Sequence, residues 1–110
     1  MAILFTGTPE MDTPHYKIFF MTTAEGDAIN GVEAAFTFGA GGMSNFTDTP
    51  KVYWAVEVTA TGDAPTEPCN LSIHTPTALG FTANKVSRPI AGAAVHTWRV
   101  YMCDKNFYEI

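Results

Sequence analysis

Apolar and polar residues alternate most cleanly over Lys51–Gly62, KVYWAVEVTATG. Side chains leave a strand on opposite faces in turn, so Val52, Trp54, Val56, Val58 and Ala60 point one way. Tyr53, Ala55, Glu57 and Thr59 point the other. Pro50 stands before the run and Gly62-Asp63 behind it, both ladder-breaking signals. The pattern predicts a long strand with a broad apolar stripe, placed in the middle of a sheet.

Shorter runs of the same kind surround it. Ala2–Thr6 reads as a first strand or as an arm that pairs with a sheet edge. Tyr16–Thr23, YKIFFMTT, is apolar on both faces (Tyr16, Ile18 and Phe20 against Phe19 and Met21), as a strand covered on two sides is. Glu33–Phe38 puts Ala34, Phe36 and Phe38 on one face, and Cys69–His74 turns Leu71 and Ile73 inward. Phe81–Arg88 is a further strand. Val95–Asp104 is the last long one, with His96, Trp98, Val100 and Met102 together and Cys103 opposite. Lys105-Asn106 predicts a turn before Phe107–Ile110 closes the chain.

Turn chemistry separates the runs. Thr8–Pro14 holds two prolines and reads as a loop. Ala24–Gly31 contains Glu25-Gly26-Asp27 and Asn30-Gly31, hairpin-type signals. Gly39-Ala40-Gly41-Gly42 reads as a mobile loop or tight corner; a phosphate loop needs a following Lys-Ser/Thr and a helix, and Met43-Ser44-Asn45 offers neither. Asp63–Pro68 is a Pro-containing loop. Asp12-Thr13-Pro14 and Asp48-Thr49-Pro50 repeat one device, an Asx-type turn and a proline launching a strand. Seven or eight strands joined by short loops predict an all-β, antiparallel sandwich of jelly-roll or Greek-key type. It forms a single domain over residues 1–110, with residues 1–6 as an N-terminal arm or edge strand.

Composition narrows the partners. Charged residues are only 15% of the 110, the formal net charge is −5, and no basic run exists. Nucleic acid and anionic membrane surfaces are therefore not expected partners, since both are met with clustered Lys and Arg. So few charges leave much uncharged surface, which tends to be covered by copies of the chain or by another protein. Met1–Phe5 lacks the basic start and apolar length of a secretory signal, so synthesis and folding in a cytoplasm are expected.

Candidate chemistry is sparse. His15, His74 and His96 lie on separate elements and Cys69 and Cys103 far apart, without the close spacing of a zinc site. A metal-binding or enzymatic sandwich would have to bring His74 and His96 together. A Cys69–Cys103 disulfide is geometrically open, although chains without a secretory signal more often keep such thiols free. No nucleophile elbow is present, and the two glycosylation-type sequons at Asn45 and Asn70 follow from abundant Thr and Ser. No catalytic, cofactor-binding or metal-binding residue is assigned, and no cofactor is expected.

Aromatic residues are the stronger candidates. Trp54 and Trp98 read as core, while Tyr53 and Tyr101 face the other way and are candidate contacts for a partner or a glycan. Ile3, Leu4 and Phe5 are the candidate assembly arm. The leading expectation is a non-enzymatic structural protein that self-associates and docks on a larger lattice. Small virion components, such as the head decoration proteins and tail or fibre modules of phage-like particles, have this profile. A carbohydrate-binding module is the alternative.

Overall fold

A computed structural model describes residues 3–23, 33–62, 69–87 and 94–105. Within them lie seven strands: β1 (Ile3–Asp12), β2 (Tyr16–Thr23), β3 (Glu33–Thr37), β4 (Val52–Gly62), β5 (Cys69–His74), β6 (Gly80–Ser87) and β7 (Ala94–Cys103). They form two antiparallel sheets, β1-β2-β7-β4 and β3-β6-β5. The predicted β-sandwich is thus the observed fold. Its pairing is nested: β2 takes β7, β3 takes β6, and β4 and β5 run near each other where the roll closes. That winding is of the jelly-roll kind.

Facing apolar sides of the two sheets make the core. Phe19, Met21, Trp98, Val100 and Met102 come from the four-stranded sheet, Leu71, Phe81 and Ala83 from the three-stranded one. Phe38, Met43 and Phe46 are added by the segment between β3 and β4. The phenylalanine rings meet edge-on or tilted at 5.1–6.3 Å, with Phe36 stacked on Phe81 at 5.5 Å. Such pairs stabilise by about 0.5–1.5 kcal/mol beyond their area. Gly80 is required where β6 meets β3: a Cβ there would stand 2.0 Å from the Phe36 carbonyl oxygen.

Two expectations are corrected, and a third is narrowed to one of its alternatives. Lys51–Gly62 is not central: β4 is the last strand of its sheet, and β2 and β7 occupy the middle. Central position follows from pairing, which an apolar pattern alone does not set. Thr8–Asp12 is not loop, because β1 runs on to Asp12 and accommodates Pro9 in a bulge. Thr6 pairs with Phe20 and Met11 with Ile18, so Gly7–Glu10 lie opposite a single β2 residue. The proline has no ladder hydrogen bond to break there. Gly39–Gly42 resolves as the tight corner, a 3-10 turn over Phe38–Gly41 closed by Gly42 at φ +76°. The Thr37 hydroxyl caps it by accepting from the Ala40 N–H.

The repeated Asp-Thr-Pro segments become neighbours. They precede β2 and β4, which flank β7, so Tyr16 and Val52 both pair with Cys103. At this corner Thr47 N–H donates to the Pro14 carbonyl, Lys51 N–H to that of Cys103, and Asp104 N–H to that of His15. The Asp104 carboxylate, buried, accepts from Asp48 N–H at 3.0 Å and stands 3.0 Å from His15 Nδ1. One buried acid thus ties both strand starts to the end of β7. Residues 24–32, 63–68 and 106–110, where turns and the closing segment are predicted, lie outside the described residues.

Candidate functional site

Strand register fixes what the four-stranded sheet presents on its outer side. Reading across the strands, Tyr16, Cys103 and Val52 form the first row. Met11, Ile18, Tyr101 and Trp54 form the second, Thr6, Phe20, Arg99 and Val56 the third, and Leu4, Thr22, Thr97 and Thr59 the fourth. The first three rows are almost wholly apolar and the fourth is mostly threonine. Arg99 is the single charged side chain in the four rows. Its Nε lies 2.6 Å from Glu10 Oε1, and its guanidinium stands 5.3 Å from the centre of the Tyr101 ring.

The stripe predicted on β4 exists over Val52, Trp54 and Val56 and faces outward. A bulge between Glu57 and Thr59 then reverses the alternation, so that Thr59, predicted on the opposite face, joins the outer rows and Ala60 pairs with His96. Trp54 is 46% exposed, with Val56 and Val58 similarly open, whereas Trp98 is 2% exposed in the core. The expectation that both tryptophans are core is correct for Trp98 and wrong for Trp54. Antiparallel pairing also splits the two tyrosines expected on a common face. Tyr53 opposes Met102 and packs against the core, half-buried, while Tyr101 opposes Trp54 outside. Trp54 and Tyr101 stack at 4.9 Å with their planes 14° apart. Beside this stack lies an apolar cavity of about 170 Å³, with Met11, Ile18, Val52 and Cys103 among its lining residues. β1 forms one wall through Met11 and β4 the other through Trp54.

The candidate arm is divided between core and surface. Ile3 is buried and Phe5 meets Phe19, Phe36 and Phe81, while Leu4 is exposed at one corner of the outer face. Both flanking backbones pair with β2, Ile3 with Thr23 and Phe5 with Met21. Cys103 is a free, buried thiol that accepts from Lys105 N–H.

Polar groups on the inner side were less legible. Lys17 is completely buried beneath Phe46 and Phe38, its Nζ 4.8 and 5.6 Å from the ring centres. Its three N–H groups donate to Asp12 Oδ1 at 2.6 Å, the Thr13 carbonyl at 2.9 Å and Ser44 Oγ at 3.1 Å. Ser44 in turn donates its hydroxyl and its N–H to Asp12. Burial alone would push the Asp12 carboxyl up, but these hydrogen bonds and the Lys17 charge hold it below its ordinary value.

A serine beside a buried lysine invites comparison with Ser–Lys nucleophilic pairs. The chemistry differs, because an ammonium with three acceptors has no lone pair with which to take the serine proton. The nearby N–H groups of Gly42 and Met43 are spent on the carbonyls of Gly39 and Phe38, leaving neither as an oxyanion donor. This network fastens the 40s segment to the β1–β2 turn. Its sequence signal is a lone lysine within an apolar strand, five residues after an aspartate.

Each histidine has its own carboxylate: His15 with Asp104, His74 with Glu33, and His96 with Glu57 at 2.7 Å. His74 and His96 lie in different sheets, so their strands do not bring them together. Among the described residues no three metal-capable side chains converge, and no helix is long and apolar enough to cross a membrane. No protein-family model matches this chain, and no curated protein or solved structure is significantly similar to it.

Proposed function

We propose that this chain is a non-enzymatic assembly module that self-associates and docks on a larger protein lattice, as small head decoration proteins and tail or fibre modules of virions do. One observation carries the reading: three rows of mostly apolar side chains stand on the outside of the sandwich. Contiguous apolar surface of this kind marks association sites far more often than it is left open. The low charge content of the whole chain points the same way. Jelly-roll sandwiches serve both capsids and lectins, so the fold supports a virion part by analogy alone.

A glycan-binding reading has the exposed Trp54 ring in its favour. Sugar stacking uses flat, open ring faces and a surround of hydrogen-bonding groups. Trp54 and Tyr101 instead give one face each to the other, beside a cavity lined chiefly by apolar side chains. Light scattering on the full chain over a dilution series tests the assembly reading. A discrete closed oligomer that survives dilution supports it. A monomer at the highest concentration, together with glycan binding lost in Trp54→Ala, would replace it with the glycan reading.

A further inference from the structure

We infer that the outer face of the four-stranded sheet pairs with the same face of a second copy, in an isologous two-fold contact built around Trp54 and Tyr101. This deepens the assembly reading and rests on it. Size is the first argument. Four strands about 4.8 Å apart and a paired length of about eight residues at roughly 3.3 Å each give a footprint of about 500 Å². Two such faces, before the relief of their side chains is added, bury on the order of 1,000 Å², where specific association begins.

Charge is the second argument. Two copies of a chain with formal charge −5 repel each other unless they meet where little net charge lies. In this face Arg99 is already balanced by Glu10, whereas Glu33, Asp48 and Glu57 stand elsewhere with exposed side chains. The third argument is layout. Apolar rows occupy one end and the middle, and threonines Thr22, Thr97 and Thr59 border the other end beside Leu4, a dry centre with a mostly polar rim on that side. A two-fold axis lets the Trp54–Tyr101 stack of each copy meet the Met11–Ile18 side of the other, the two sheets lying about 10 Å apart.

Sedimentation velocity over a dilution series of the full chain, with Trp54→Lys, Val56→Lys and a Leu79→Lys control, tests this. Leu79 is exposed in the β5–β6 turn, away from the face. Circular dichroism and urea midpoints verify that each variant is folded, which their exposed positions favour. The expected result is a wild-type dimer, dissociation constants raised about 30-fold or more by each face variant, and an unchanged control. A wild-type oligomer that persists in both face variants overturns this inference and leaves the assembly reading standing. An oligomer lost only in Leu79→Lys does the same. A wild-type monomer at all concentrations overturns the inference and self-association together.

Discussion

The two faces of the four-stranded sheet exchange the properties that simple patterning would assign them. The inner face, against the second sheet, contains the buried Lys17 and His96. The outer face contains Trp54, Val56, Ile18, Phe20 and Tyr101, with one balanced charge. What separates them is what covers each face. Phe36, Phe81 and Leu71 cover the inner face, and Asp12, Thr13 and Ser44 satisfy its lysine. A buried charge held by several hydrogen bonds is compatible with a core; its stability depends on keeping every partner.

The two tryptophans offer the sharpest way to test that contrast. Trp98→Ala empties a fully buried site, and is expected to cost about 3–5 kcal/mol of unfolding free energy, enough to unfold a marginal domain. Urea denaturation followed by far-UV circular dichroism measures it. A loss below about 1 kcal/mol would contradict the packing described here. Next in size is Lys17. Lys17→Ala strands Asp12 and hollows the space under Phe46, for an expected loss of about 3 kcal/mol. Lys17→Met leaves Asp12 equally without its cation but fills the same space, and is expected to recover the part of the loss that comes from the lost volume. Equal losses in the two variants would show that the ion pair, not the volume, matters.

Much of this architecture is legible in the residues. Tyr16–Thr23 and Cys69–His74 are read to the residue, and the alternation of Val95–Asp104 correctly turns Trp98, Val100 and Met102 inward. The side on which Trp54 lies is not legible. Both faces of β4 carry apolar groups, and the choice is made by pairing with β7, a partner some forty residues away. The β1 bulge is hidden for a related reason. Pro9 argues against a ladder, and only the position of Ile18 and Phe20 on β2 shows how a strand passes around it. Lys17 escapes notice because a lysine in a strand ordinarily points to water; its acceptors come from segments 4, 5 and 27 positions away.

Acid probes the inner face more gently than truncation. Asp12 has its folded-state value lowered, so the folded protein holds fewer protons than the unfolded chain near the ordinary carboxylate range. The stability this contributes is fully present above that range and is lost as pH falls through the lowered value. Asp48, lowered by the Thr49 N–H and by Lys51, acts with the same sign. Urea midpoints are therefore expected to fall between pH 6 and about pH 2, and to fall less steeply in Asp12→Asn. An identical slope in the variant would remove Asp12 from the account.

The smallest effect on folding is expected on the outer face, and its smallness is what matters. Trp54→Ala removes a ring that is nearly half exposed and stacked on Tyr101 from across the strand pair. Cross-strand aromatic pairs contribute about 0.2–1 kcal/mol, so the unfolding midpoint of dilute protein should move little. The same substitution should strongly weaken self-association, because an aromatic ring near the centre of an interface commonly carries a large part of its energy. Folding and association thus respond in opposite measure to Trp98 and Trp54. If Trp54→Ala instead destabilised the dilute chain as much as Trp98→Ala does, the outer face would belong to the core of the protomer, and its apolar rows would need no partner.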